Sequence, residues 1–331
     1  MLYVDLNDDV LREILSHADI QSVFRFCQVN KTLCHQHDDW FRHIYDRLYN
    51  HTDMSVFKNK TSEMTWLQLL KLCYQLSRLL ILPLLKNVTM KELYTTTELN
   101  LSDRKITVLP PEIGQLINLK LLNLSNNQLS ALPPEMGQLS ALQQLSLSNN
   151  KLSALPPEIG QLISLKDLFL SNNQLSTLPP EMGQLGALQS LYLHNNKLSA
   201  LPPEIGQLSA LHQLYLDNNQ LSTLPPEIGQ LINLKYLYLH DNQLSTLPHK
   251  MGQLNTLRYL DLDYNQLNIL LPEIGQLINL EYLYLSNNQL ITLPPEIGQL
   301  TALQQLTLVK NKLSSVFKNE LEQQLPNTYI I

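Results

Sequence analysis

The sequence predicts an α/β fold: a repeat solenoid with a parallel sheet on its inner, concave side and short helical or 3₁₀ turns on its outer side, preceded by a small all-α domain. A 23-residue pattern recurs ten times from about residue 98 onward. Each copy contains Leu-x-Leu, which places two leucines on one face of a short strand. The first 50 residues differ, because they contain neither glycine nor proline and carry apolar residues at helical spacing.

A leucine in the strand marks each copy of the repeat. A second leucine follows two residues later, and an asparagine follows five residues after the marker in every copy except the first. Because asparagine carries both donors and acceptors, we expect it to satisfy turn backbone groups that the strand ladder does not reach. The markers are Leu99, Leu122, Leu145, Leu168, Leu191, Leu214, Leu237, Leu260, Leu283 and Leu306, and the asparagines run from Asn127 to Asn311.

The return segment of each repeat is usually Pro-Pro-Glu-Ile/Met-Gly-Gln-Leu. Paired prolines end the strand and preset φ for the return, and the segment is too short for a stable helix. We therefore expect a single turn or a 3₁₀ piece on the outer side. One position in this segment holds nine of the chain's ten glycines, from Gly114 to Gly298. A glutamate lies two residues before eight of these nine glycines and predicts a solvated outer row, which Lys250 interrupts before Gly252.

Both ends of the solenoid require closure, because an open end exposes leucines and a strand edge. Residues 317–325 predict a helical segment, and Tyr329 and Ile331 lie 23 residues after Leu306 and Leu308. That spacing predicts an eleventh, closing strand. The predicted organisation is a helical domain at 1–50, a helical linker and cap at 51–97, repeats at 98–315 and a C-terminal cap at 316–331.

These repeats resemble the leucine-rich-repeat family from residue 99 to the last residue. The return Leu-Pro-Pro-Glu-Ile-Gly-Gln-Leu is similar to intracellular, Ras-suppressor-like repeats rather than to the cysteine-capped extracellular kind. The resemblance implies a non-catalytic protein-interaction solenoid.

The N-terminal segment resembles an F-box in the order of its motifs. The counterparts are Leu6-Asn7-Asp8-Asp9-Val10-Leu11, Asp19-Ile20, Val29-Asn30-Lys31 and Asp39-Trp40. The segment departs from the family where Asn7 replaces proline, Asn30 replaces cysteine and Leu33 replaces tryptophan. The alternative is a small helical cap that buries the same apolar stripe.

An F-box would imply docking to the Skp adaptor of cullin–RING ubiquitin ligases. By this resemblance, the residues that contact the adaptor or support the contact surface are Leu6, Val10, Ile14, Leu15, Ile20, Phe24, Val29 and Trp40.

An aromatic stripe is expected on the concave face, here the side chains that the strands direct away from the leucine core. It occupies repeats 4 to 9, whereas repeats 1 to 3 are small and polar at the same positions. A cross-strand stabilising ladder and a partner-binding surface both explain it, and its regional extent favours binding. The candidate partner-binding residues are Phe169, Tyr192, His194, Tyr215, Asp217, Tyr236, Tyr238, His240, Tyr259, Asp261, Asp263, Tyr282 and Tyr284.

Other functional classes receive little support from the sequence. The net charge of −6 lacks the basic footprint of a nucleic-acid binder, and no membrane segment, cofactor or catalytic motif is expected. The flat row His194, Asp217, His240 and Asp263 is poorly suited to tetrahedral metal binding, so no metal is expected. Three cysteines outside the repeats and a start without a signal peptide indicate an intracellular, cytoplasmic protein; the sequence does not separate cytoplasm from nucleus.

The resulting hypothesis is an adaptor without chemistry of its own, serving as the substrate receptor of a Skp–cullin–F-box ubiquitin ligase. Its Skp-type adaptor would bind the N-terminal module, and an unidentified protein target would bind the concave face. The alternative is a scaffold or regulator of a signalling protein, such as a small GTPase, without a link to ubiquitin.

Overall fold

The structure is a computed structural model that describes residues 95–314 and 321–331. Residues 97–331 form one compact unit. The predicted helical domain at 1–50, including all eight candidate adaptor contacts, lies outside the described residues, as does nearly all of the predicted cap at 51–97.

Eleven short strands pair in chain order into one parallel sheet, which confirms the predicted solenoid. The marker leucines lie opposite one another, as in the pair Leu99 and Leu122, so the 23-residue period is the register of the first ten strands. The strands are β1 (Glu98–Asn100), β2 (Leu121–Asn123), β3 (Gln144–Ser146), β4 (Asp167–Phe169), β5 (Ser190–Tyr192), β6 (Gln213–Tyr215), β7 (Tyr236–Tyr238), β8 (Tyr259–Asp261), β9 (Tyr282–Tyr284), β10 (Gln305–Thr307) and β11 (Tyr329–Ile330).

Within the described residues, the nine return segments between consecutive repeat strands each form a five-residue 3₁₀ turn, as predicted. The residue before each turn is extended, as at Pro110 with φ −69° and ψ 145°, which is the conformation that a following proline favours. The turns span Pro111–Gln115, Pro134–Gln138, Pro157–Gln161, Pro180–Gln184, Pro203–Gln207, Pro226–Gln230, His249–Gln253, Pro272–Gln276 and Pro295–Gln299.

The core lies between the sheet and these turns. Leucines of the Leu-x-Leu pairs, such as Leu168 and Leu170, and turn residues such as Ile159 are fully buried. A single repeat cannot enclose these side chains, so each depends on the repeats stacked on either side.

The repeat asparagines satisfy backbone groups between neighbouring repeats, which confirms their predicted role. The Asn173 side-chain oxygen accepts from the Leu152 amide at 3.0 Å. Its amide nitrogen donates to the carbonyl oxygens of Leu147 and Leu170, each at 3.0 Å. Nine asparagines repeat this arrangement in whole or in large part, from Asn127 to Asn311.

The repeat glycines permit a close approach between consecutive turns. A Cβ atom added at Gly137 would lie 2.6 Å from the Glu158 carbonyl oxygen of the next repeat. Overlap at this distance forces the neighbouring backbone to move. The low helical propensity of glycine therefore does not by itself explain why this position holds glycine.

The outer glutamates are half-buried, so the expected solvated row is wrong. The glutamates of the 3₁₀ turns all have intermediate or low exposure, and Glu112 is buried. The close approach at the glycines is the reason, because the Glu158 Cβ would lie only 2.9 Å from a Cβ built at Gly137.

The C-terminal cap contains the expected closing strand, but in a different register. Residues 321–324 are helical and β11 follows; residues 315–320 lie outside the described part. Ile330 pairs with Leu306 and Tyr329 with Gln305, so the spacing is one residue longer than the predicted 23. Tyr329 is accordingly 67% exposed and does not occupy a leucine position, because the cap does not follow the return geometry of the repeats.

Candidate protein-interaction site

An aromatic ladder, defined as Phe169, Tyr192, Tyr215 and Tyr238, runs across four consecutive strands of the concave face. Adjacent ring centroids lie 4.6, 4.6 and 4.4 Å apart, with interplanar angles of 13° or less. The ladder arises because in-register strands place the same repeat position side by side.

The aromatic row shifts sideways in β8, where Asp261 occupies the ladder position. The ring of Tyr259, two residues earlier on the same strand face, continues the aromatic row, and its centroid lies 4.6 Å from that of Tyr238. Its own ring lies 5.2 Å from Tyr284 and 6.0 Å from Tyr282. Tyr236 pairs in register with Tyr259 and is half-buried. The aromatic surface therefore continues diagonally through β9.

All ladder residues are half-buried, and the Tyr192 and Tyr215 hydroxyls donate to Gln213 Oε1 at 3.3 and 3.4 Å. Burial, with nearby Tyr238 and Tyr192, raises the pKa of Tyr215 to about 12, and burial also raises the pKa of Tyr259. These hydroxyls stay protonated at neutral pH and both donate and accept hydrogen bonds. Stacking and partner binding are thus compatible roles for one surface.

A cluster of carboxylates and one imidazole lies at the carboxyl ends of strands β6 to β8. The His240 Nε2 atom is 3.5 Å from Asp217 Oδ2, and its Nδ1 atom is 3.2 Å from Asp261 Oδ2. Hydrogen bonding to Asp261 raises the pKa of His240, against the lowering effect of burial. The imidazole is therefore held between two carboxylates.

Asp263, which lies two residues after the end of β8, completes this cluster. Its Oδ1 atom accepts from the Ser286 amide at 2.6 Å and lies 3.5 Å from Thr307 Oγ1. Burial, reinforced by the charge of Asp261, raises the pKa of Asp263 to about 6, although the Ser286 bond acts in the opposite direction. Its carboxylate charge is poorly compensated by the groups around it.

Comparison with protein families identifies both parts of the chain. The leucine-rich repeat region matches residues 157–231 and 225–325, and a leucine-rich repeat model matches residues 95–152. The F-box domain matches residues 4–36. The chain is an F-box and leucine-rich-repeat protein. No match was found among curated proteins.

Solved structures similar to this F-box and leucine-rich-repeat protein are themselves repeat proteins. A TDR receptor is 29% identical, covering 71% of this chain and 42% of its own, with a TM-score of 0.64. The plant peptide hormone receptor RGFR1 in complex with RGF2 is 32% identical, covering 67% and 37%, with a TM-score of 0.60. A leucine-rich-repeat protein of Leptospira interrogans is 35% identical, covering 70% and 83%, with a TM-score of 0.41. This chain spans less than half the length of the two receptors.

An F-box domain together with leucine-rich repeats is the organisation of a protein-interaction adaptor. Both modules are typically non-catalytic. Among the described residues, no helix has the length and apolar composition that a membrane crossing requires.

The structure divides the predicted polar row. It brings Asp217 and His240 together and adds Asp261, whereas His194 contacts the Tyr215 ring edge-on at 6.4 Å. Within residues 95–314 and 321–331, no group of three or more histidine, cysteine, aspartate or glutamate side chains is arranged to hold a metal ion.

Two features of the concave face were missed by sequence reasoning. A basic row, formed by exposed Lys120, Lys166, Lys235 and Arg258, immediately precedes β2, β4, β7 and β8. Tyr264 has φ 53° and is 52% exposed. Aligning the repeats at these positions would have found both, because Tyr264 stands where Asn218, Asp241 and Asn287 occur.

Proposed function

We propose that this protein is the substrate receptor of a Skp–cullin–F-box ubiquitin ligase and acts inside the cell. The observation that carries the proposal is the F-box match at residues 4–36 in a chain whose repeats present a regional aromatic surface. Such a receptor performs no chemistry. It raises the effective concentration of a target near the ubiquitin-transfer machinery.

The adaptor contact is assigned to the apolar residues of the F-box. Leu6, Val10 and Ile14 recur at helical spacing and would present one apolar face. Interfaces of this kind draw most of their affinity from a few buried anchors. The other proposed contributors are Leu15, Ile20, Phe24, Val29 and Trp40.

The target contact is assigned to the concave face of repeats 4 to 9. Exposed aromatic area that is contiguous is typical of protein interfaces, and tyrosine is a frequent anchor. The equivalent side chains of repeats 1 to 3, Asn100, Asn123 and Ser146, are small and polar. This difference supports a local binding site within an otherwise uniform solenoid.

Co-purification of a Skp adaptor with the full chain tests the first half of the proposal. We expect the wild-type chain to retain Skp and the double variant L6E/I14E to lose it. The matched control is Y192S/Y215S, which alters the ladder and should retain Skp. A wild-type chain that fails to bind Skp contradicts the proposal.

Ubiquitylation of proteins bound by the repeats tests the second half. Proteins captured by the full chain should lose ubiquitylation with either double variant, but only Y192S/Y215S should abolish their capture. Nucleotide-dependent capture of a small GTPase that is unaffected by L6E/I14E would instead support the signalling-scaffold alternative.

A further inference from the structure

We propose that the target inserts a tyrosine side chain into the concave face beside Phe169, in the space above Ser146. This inference rests on the proposed use of the concave face for target binding, and it names the chemistry of one contact. The site, here called the ring site, consists of Leu121, Asn123, Ser146 and Phe169. It lies where the aromatic ladder ends.

The first argument is that the Phe169 ring is stacked on one face only. Tyr192 covers that face, with 4.6 Å between the ring centroids and an interplanar angle of 12°. On the opposite side, the in-register neighbour of Phe169 is Ser146 on β3, and a serine side chain is too small to cover a ring. Among the residues that the structure describes, no second ring contacts Phe169. One face of this ring therefore remains open to stacking.

The second argument is a cavity next to the open ring face. An open cavity of about 400 Å³ lies over β1 to β3, and Ser146 is its lining residue nearest to the ladder. Neighbouring strands lie about 4.8 Å apart, which matches the spacing of 4.4 to 4.6 Å between rings of the ladder. A ring seated above Ser146 would thus continue the stack. The half-buried Leu121 offers an apolar contact in the same cavity.

The third argument concerns the hydrogen-bonding groups at the floor of the cavity. The Asn123 side-chain oxygen accepts from the Ser125 amide at 3.0 Å, so the side-chain nitrogen is the group left to donate. Ser146 adds a hydroxyl that can donate and accept. A ring that enters from a partner points its far end toward the sheet, where a tyrosine hydroxyl would accept from Asn123 and donate to Ser146. Phenylalanine lacks this group, and tryptophan has only a donor.

Saturation-transfer difference NMR with short peptides tests the inference. The probes are Gly-Gly-Tyr-Gly-Gly and the same pentapeptide with phenylalanine or leucine at its centre, each titrated against the full chain at neutral pH. We expect the tyrosine peptide to bind at least about threefold more tightly than the phenylalanine peptide, because it gains hydrogen bonds. The leucine peptide should not bind. Equal affinity for the tyrosine peptide and either of the other two would overturn the proposal.

Ser146→Tyr separates binding from folding. The new side chain would occupy the ring site and stack on Phe169, so this variant should lose the tyrosine peptide while its melting temperature rises. The matched control is Ser153→Tyr, at an exposed serine later in the same repeat, which should bind like the wild type. Unchanged binding by Ser146→Tyr, or equal losses in the two variants, would overturn the proposal.

Phe169→Leu tests the stack itself. It keeps an apolar side chain but removes the ring face, so both aromatic peptides should bind several-fold more weakly, while the preference for tyrosine over phenylalanine persists. Unchanged affinities would overturn the proposal. None of these assays involves Skp, so a chain that binds Skp but not the tyrosine peptide contradicts this inference and leaves the proposed function standing.

Discussion

The Asp263 carboxylate accepts a 2.6 Å hydrogen bond from the Ser286 amide of the next repeat, and yet burial beside Asp261 raises its pKa to about 6. One bond does not compensate for lost hydration and a neighbouring like charge. Asp263 is thus a site where the folded chain carries a charge at a cost in stability.

We predict that Asp263 makes stability fall as pH rises from about 4 to about 6. Its pKa is raised from 3.8 to about 6 on folding, so the folded state binds more protons than the unfolded state in this window. His240, whose pKa is also raised, extends the same trend above pH 6.5. Thermal unfolding of wild type and D263N at pH 4 and pH 7 measures the effect.

The asparagine variant keeps an oxygen that can accept from Ser286 but cannot ionise. The melting temperature of D263N should therefore be higher than that of the wild type at pH 7, and the difference should be much smaller at pH 4. Asp217, Asp241 and Asp261 face His240 and remain in the variant, so their contributions largely cancel in the comparison. An equal difference at both pH values would refute the assignment.

Substitution of a repeat glycine should lower the unfolding free energy more than substitution of any other small residue in the repeats. Gly183→Ala places a Cβ about 2.7 Å from the Glu204 carbonyl oxygen and should cost about 1–3 kcal/mol of unfolding free energy. Gly186, three residues later, has nothing within 4 Å of such a Cβ and a negative φ. Gly186→Ala is the control and should be neutral or slightly stabilising in urea unfolding.

The aromatic ladder should contribute to stability as well as to binding. Tyr215 stacks against a ring on each side, so Tyr215→Ser should cost about 1–3 kcal/mol, at about 0.5–1.5 kcal/mol per aromatic pair. Ser146→Tyr should extend the ladder from Phe169 and raise the melting temperature more than Ser146→Leu does. Equal effects of tyrosine and leucine at position 146 would argue against stacking.

The register of β11 can be tested at adjacent residues. Ile330 pairs with Leu306 and is half-buried, whereas Tyr329 is largely exposed. Ile330→Asp should destabilise the chain by about 1 kcal/mol or more, and Tyr329→Asp should change stability by less than about 0.5 kcal/mol. If chemical denaturation shows that Tyr329→Asp is the more destabilising of the two changes, β11 instead follows the 23-residue spacing.

The repeat architecture could be predicted because every copy places the same residue types in the same local contacts. The alternation of leucines set the strand faces, and the chemistry of asparagine was enough to predict contacts such as those of Asn173. The register of β1 to β10 follows from the constant period alone. β11 was displaced because a cap of irregular length replaces the return segment.

The candidate site was only partly predictable. The ladder could be expected from the sequence, because in-register strands place the same repeat position side by side. The contact between Asp217 and His240 falls within the predicted polar row. The contact between His240 and Asp261 was not foreseen, because it joins two different repeat positions and depends on side-chain rotamers. The burial of the outer glutamates depends on the distance between turns, which the period does not report. Neither could be derived from linear spacing.

The contacts of each repeat with its neighbours have an evolutionary consequence. Because the glycine, asparagine and leucine contacts are nearly identical from one repeat to the next, gain or loss of one 23-residue unit would preserve all of them. Gain or loss of a unit between β1 and β4 would move the aromatic ladder by one strand spacing, about 4.8 Å, relative to β1. The solenoid can therefore act as a graduated spacer whose length changes in whole steps while its recognition surface stays intact.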